Sequence, residues 1–158
     1  MKLSGAYTIP VPQERAYTLL QDPAVLAKCM PGCDSLERLA ENEYHMKMKM
    51  VLASMSGLFD GKVRIADPAP PGSFRLLVDG NGKIGFMKGD GLLTLSPNET
   101  GTHVQFDGTV EVGGTIAAVG QRLLDTTARM IIKRFFEKLS AEVAAGAGPE
   151  ISGAAPVA

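Results

Sequence analysis

His45-Met46-Lys47-Met48-Lys49-Met50 alternates thioether and ammonium side chains one for one. Successive side chains of a strand point to opposite faces, so Met46, Met48 and Met50 share one face and Lys47 and Lys49 the other. One apolar and one wet face mark an antiparallel strand packed on one side only. The period of two continues downstream. Phe59, Gly61, Val63 and Ile65 alternate with Asp60, Lys62 and Arg64. Phe74, Leu76 and Val78 alternate with Arg75, Leu77 and Asp79, and Val104, Phe106, Val110 and Val112 with Gln105, Asp107, Thr109 and Glu111. Leu92–Leu95 reads as one more strand. Asp67-Pro68-Ala69-Pro70-Pro71-Gly72 and Pro97-Asn98-Glu99-Thr100-Gly101 supply turns. Asp34 to about Gly113 therefore reads as a meander.

The flanks change period. Residues 2–9 read as a strand, with Leu3, Ala6 and Ile9 as apolar markers, ended by Pro10 and Pro12. Ala16, Tyr17, Leu19 and Leu20 predict a helix over 13–21. Asp22-Pro23 breaks it, because the residue before proline leaves the α region. Asp22 then caps a second short helix with Pro23 in its first turn, running to about Cys29. Beyond the meander, residues 115–143 are predicted as one long helix. Leu124, Ala128, Ile131, Phe135 and Leu139 form its apolar stripe, flanked by Arg122, Arg129, Lys133, Arg134 and Lys138. The Gly/Ala/Pro-rich residues 144–158 are expected to be a disordered tail. The fold class is α+β: a curved antiparallel sheet of six to seven strands, two short helices, and a long C-terminal helix laid on the sheet.

Composition limits what such a domain does. The chain has 158 residues and a net charge of −1, which gives no global pull toward nucleic acid. Its start, Met1-Lys2-Leu3-Ser4-Gly5, has no apolar secretory core, and no run reaches the ~20 apolar residues of a membrane span. With two cysteines and no such signal, a reduced, cytoplasmic setting is expected. Trp is absent and Met occurs eight times. Met adapts to irregular surfaces, so the Met face either plugs the core or lines a hollow. One helix is narrower than the concave face of a six- or seven-stranded sheet. The space left over takes large side chains or a ligand, with Gly61 and Gly108 where a bulky residue would otherwise protrude.

The candidate lining of such a hollow is Met46, Met48, Met50, Phe59, Val63, Phe74, Leu76, Phe86, Met87, Phe106, Leu124, Ala128, Ile131 and Phe135. The hollow is expected between Met46–Met50 and Ala128–Phe135, with the Gly82–Gly91 segment as its door. These positions are almost all apolar, which favours binding over catalysis. Other motifs are weaker. Gly80-Asn81-Gly82-Lys83-Ile84-Gly85 matches G-x-G-x-x-G, but two further glycines follow instead of the helix that a pyrophosphate site needs. It reads as a bulged hairpin or as a flexible lip, whose Phe86 and Met87, between Lys83 and Lys88, dip into lipid headgroups. Cys29 and Cys33 have no partner cluster to complete a zinc site. His45 and His103 belong to no visible Ser/Cys–His–acid set, and Glu14, Asp22, Asp34 and Glu37 read as caps or solvated positions.

Several stretches resemble the CoxG family, the G-subunit family of carbon monoxide dehydrogenase. They are Lys2-Leu3-Ser4-Gly5 with Tyr7-Thr8-Ile9-Pro10, Asp22-Pro23, Cys29-Met30-Pro31-Gly32-Cys33-Asp34-Ser35-Leu36-Glu37, Gly61-Lys62-Val63, the Gly82–Gly91 segment, Val112-Gly113-Gly114 and Gly120-Gln121-Arg122-Leu123. The resemblance covers about residues 1–140. It implies the helix-grip fold of the START-like (SRPBCC) superfamily. It also implies a non-catalytic accessory role: recruiting a molybdenum-containing carbon monoxide dehydrogenase to the cytoplasmic membrane face and handling a quinone or lipid, with no covalently bound cofactor. Many family members continue into a C-terminal anchoring segment, where this chain has its Gly/Ala/Pro tail. Two alternatives stand beside this: a small START-like enzyme acting on a hydrophobic ligand, and a protein-binding adaptor with a solid core.

Overall fold

The period-two stretches are strands of one sheet in the computed structural model, which describes residues 1–52 and 55–146. The elements run β1 (Lys2–Ile9), α1 (Gln13–Leu19), α2 (Pro23–Cys29), β2 (Cys33–Ala40), β3 (Glu43–Leu52), β4 (Met55–Ala69), β5 (Ser73–Gly82), β6 (Gly85–Asn98), β7 (Gly101–Gly113), a 3-10 turn (Thr115–Val119) and α3 (Gln121–Gly146). All neighbours pair antiparallel in the order β1-β7-β6-β5-β4-β3-β2. The meander is therefore sequential from β2 to β7, and β1 closes beside β7. The sheet curves, and α3 lies along its concave face, burying Phe135, Phe136, Leu139 and Val143. Each such side chain contributes about 1.5–3 kcal/mol on burial. This is the helix-on-sheet layering expected from the stripe.

Local chemistry seats the short helices. Asp22 accepts a hydrogen bond from the Ala24 N–H at 2.9 Å, and Pro23 follows as predicted. Gln13 Nε2 donates to the Pro71 and Leu95 carbonyls, and the Tyr17 hydroxyl donates to Ser73 O at 3.0 Å. These bonds tie α1 to one end of the sheet. Thr102, wholly buried, donates from Oγ1 to Val11 O at 2.7 Å and fixes the chain between β1 and α1.

Four expectations change. The segment from Gly82 to Gly91 is no open loop: β5 reaches Gly82, Lys83-Ile84 makes a two-residue turn, and β6 starts at Gly85 opposite Gly82 without a bulge. Its glycines read as a loop because they carry no hydropathy, yet they sit at regular strand positions. The turn is also pinned, since the Ile116 N–H donates to Ile84 O at 2.6 Å. Second, the predicted helix 115–143 is split. Gly120 has φ 97°, which an α-helix cannot contain, so a 3-10 turn precedes α3. Third, α3 extends to Gly146, into the stretch read as a tail; residues 147–158 of that stretch lie outside the described residues. Fourth, the period of two places Gly5 and Tyr7, not Ala6, on the inward face of β1 with Leu3 and Ile9.

Two apolar clusters form between sheet and helix. One gathers Ile9, Phe74, Val104, Phe135, Phe136 and Leu139 under α1 and the second half of α3. The other gathers Met48, Met50, Leu52, Phe59 and Ile116, with Met87 and Leu124 packed against it.

Candidate functional site

A cavity of about 250 Å³ lies beneath α3. Its floor is the middle of the sheet: Phe74, Leu76 and Val78 of β5, Gly89, Gly91 and Leu93 of β6, Phe106, Gly108 and Val110 of β7, and Leu3 of β1. Ile131, Ile132, Phe135 and Phe136 of α3 roof it. Leu20, Leu26 and Met30 close the side beneath α1 and α2. Register explains the space. Leu76, Gly91, Gly108 and Leu3 lie side by side across four strands, and Val78, Gly89 and Val110 form the next row. Three inward positions of β6 and β7 thus carry no side chain.

The floor glycines are not equivalent. A Cβ on Gly91 would stand 3.7 Å from its nearest neighbour, an ordinary contact, and one on Gly89 3.8 Å. A Cβ on Gly108 would be 2.7 Å from Asp90 O, so only glycine lets β6 and β7 approach this closely there. Glycine in a strand marks such close approach, or room kept for a ligand.

The lining is apolar. Its one carboxylate residue, Asp90, turns outward to Arg75 Nη1 at 2.6 Å. Among the described residues, no His, Cys, Lys, Arg or Glu lines the cavity. His45 lies on the outer face with Asp60 at 3.3 Å. Burial pushes the Cys29 and Cys33 thiols up, with the Glu142 charge adding to the effect at Cys29, which suits inert rather than nucleophilic thiols. No group of three His, Cys, Asp or Glu is arranged to hold a metal ion among the described residues.

Five of the predicted lining residues meet at this cavity: Phe74, Leu76, Phe106, Ile131 and Phe135. The others lie elsewhere. Met48, Met50 and Phe59 are buried in the second cluster, with Met46, Met87 and Leu124 against it. Val63 belongs to the first cluster, and Ala128 is half-buried on α3 outside the lining. Phe86 faces away from Met87, its ring where a Cβ on Gly113 would stand. Both are half-buried on opposite faces of β6, so they do not form a joint lip. The hollow is thus displaced from Met46–Met50 toward β5, β6, β7 and β1, because the Met side chains fill their own end. Leu20, Leu26 and Met30 escape sequence reasoning because nothing in their spacing tells which side of the short helices faces inward. Gly89 and Gly91 escape it because a missing side chain leaves no periodic signal.

Residues 5–144 match the family model for the G-subunit of carbon monoxide dehydrogenase (CoxG). The chain belongs to the CoxG family. Its fold is START-like. A conserved protein of Geobacillus kaustophilus shares 34% identity, with a TM-score of 0.87 over 92% of this chain and 97% of that one. A START superfamily protein of Mycobacterium smegmatis is similar in fold at 16% identity and a TM-score of 0.71, covering 91% of this chain and 97% of that one. The Zhui aromatase/cyclase of Streptomyces sp. R1128 is similar at 11% identity and 0.66, covering 96% and 98%; these last two likenesses concern the fold alone. No curated protein matches. No helix of the described residues is long and apolar enough to cross a membrane.

Proposed function

We propose that this CoxG-family chain is a non-catalytic carrier of a lipophile, a quinone or lipid, serving a molybdenum-containing carbon monoxide dehydrogenase-type enzyme at the cytoplasmic face of the membrane. The observation that carries this reading is the cavity itself: apolar in its lining and floored by glycines. Its volume is just below the roughly 300–1,000 Å³ usual for small-molecule pockets. An apolar cavity of about 150 Å³ takes up benzene, so this one suits a substituted ring or part of a prenyl or acyl chain. The lining offers no acid–base pair, which supports carriage over chemistry on the ligand. The family name supports the partner. Peripheral membrane contact follows from handling a ligand that resides in lipid.

Thermal unfolding with added menaquinone tests the reading. A ligand at 100 times its Kd adds about 2.7 kcal/mol to stability, and Tm should rise by roughly 5–10 °C at about 2–4 °C per kcal/mol. Gly91→Leu, which takes up part of the cavity, should reduce the shift. No shift with any quinone or lipid, and none found by mass spectrometry of the purified protein, would sink the proposal. For the partner, pull-down of the dehydrogenase is the expected result, and its absence from the eluate counts against the coupling role.

A further inference from the structure

Phe106 borders two spaces at once. Its ring lines the internal cavity, and it also lines a surface cleft between β1 and α3 formed with Ser4, Tyr7, Arg129, Met130 and Lys133. Among the described residues no other is common to these two linings, while Leu3, Asp90, Gly108 and Thr109 also border a cleft formed with Lys2, Ser4, Arg75 and Asp107. The ring is half-buried and lies over Gly5, where a Cβ would stand only 3.0 Å from it. It borders the cavity on one side and the cleft on the other, and it stacks parallel to Tyr7 with ring centres 6.2 Å apart. The seam between β1 and α3 is fastened on one side of this point only. Ser140 Oγ donates to Thr8 O at 3.5 Å, and Tyr7 stacks on Phe136 with ring centres 4.5 Å apart. Toward Ser4 and Arg129 no hydrogen bond or ion pair crosses the seam among the described residues.

The cleft differs chemically from the cavity. Arg129 and Lys133 sit one helical turn apart on the flank of α3 that leads to Phe136, with Met130 exposed between them. Arg129 Nε is held by Asp125 at 2.8 Å, while Lys133 makes no ion pair among the described residues. An apolar chamber thus adjoins a cationic vestibule through one aromatic side chain. Met30 borders the cavity on the other flank of α3. That side is clasped by the Lys28–Glu142 pair at 3.0 Å beside the buried Cys29.

We propose that Phe106 is the gate of the cavity, and that the vestibule outside it holds the polar end of an amphiphile whose apolar end lies within. The proposal rests on the lipophile-carrier reading. It specifies the ligand as an apolar body with an anionic or strongly hydrogen-bond-accepting head.

Two dyes sharing an apolar skeleton test it: neutral N-phenyl-1-naphthylamine and 1-anilinonaphthalene-8-sulfonate, its sulfonated counterpart. Both brighten in apolar surroundings. In stopped-flow experiments, Phe106→Ala should speed both uptake and release of the neutral dye by about tenfold, a barrier change of about 1.4 kcal/mol. Phe106→Leu should give a smaller effect in the same direction and serves if the alanine variant does not fold. Phe106→Trp, the only Trp in the chain, should transfer its emission to bound dye. Arg129→Gln with Lys133→Gln should weaken the sulfonate by about fivefold, about 1 kcal/mol, and spare the neutral dye. Wild-type exchange rates in both Phe106→Ala and Phe106→Leu, or acceleration by Met30→Ala instead, overturn the gate. Equal loss of both dyes overturns the vestibule. A wild-type protein that binds neither dye, or a Gly91→Leu variant that binds both undiminished, overturns the carrier reading itself.

Discussion

Gly91→Leu puts the origin of the cavity to a direct test. Gly91 lies in the interior of β6 outside the left-handed region, so a side chain is sterically admissible there. Its Cβ would meet nothing closer than 3.7 Å, and the rest of the side chain would enter the hollow. Four buried carbons at about 0.8 kcal/mol each are worth about 3 kcal/mol. Removing glycine from a strand interior adds roughly 0.5–1 kcal/mol, and fixing the leucine rotamer costs about as much. The net expectation is a gain of about 3 kcal/mol. For a domain of this length that raises Tm by roughly 6–12 °C, together with weakened dye and quinone binding. Gly91→Ala should gain less and retain binding. Calorimetry and dye titration on the three proteins decide the matter. A leucine variant that melts below wild type while alanine melts above it would mean the space in front of Gly91 is not available. A stabilised leucine variant that binds ligand undiminished would place the ligand elsewhere.

Gly108→Ala should do the opposite, losing about 1–3 kcal/mol in urea melts, because its Cβ would press on the β6 backbone at 2.7 Å; unchanged stability would refute that close approach. Thr102→Val should lose about 1–3 kcal/mol, since it strips the Val11 carbonyl of its buried hydrogen bond; a neutral result would mean water replaces the hydroxyl. Cys29 and Cys33 have thiol pKa values raised above 9.0 by burial. Iodoacetamide should therefore label the native protein far more slowly than the urea-unfolded chain at pH 8, with a rate that climbs with pH. Because these folded-state values lie above the unfolded ones, their contribution to stability is intact below about pH 9 and is lost as pH rises through the folded values; stability flat across that range would contradict the raised values.

What the sequence exposes is whatever has a period. Met46, Met48 and Met50 against Lys47 and Lys49 announce β3, and the Leu124-to-Leu139 stripe announces the helix that covers the sheet. The Asp22-Pro23 start of α2 is legible because capping is local chemistry. The cavity is less legible because it is made of absences. Gly89 and Gly91 contribute to it by what they lack, and the same glycines disguise β6 as a loop. Gly120 sits between two apolar segments in register with a helix, and its backbone conformation, not its hydropathy, divides them. Alternation places the Met face inward, but whether a thioether fills its own space or leaves a gap depends on neighbours several strands away. Met48 and Met50 fill theirs against Phe59 and Ile116.

The pairing of β1 with β7 sets when the chamber becomes competent. Lys2 lies opposite Thr109 and Ile9 opposite Thr102, so the floor joins residues about a hundred positions apart. Contacts of such sequence separation form late. During synthesis β1 emerges first and waits through the whole meander for its neighbour, and the roof follows only when α3 is made. Until then the concave face, with its exposed Phe and Leu side chains, is an open greasy trough. The cavity therefore has its roof only once α3 is in place.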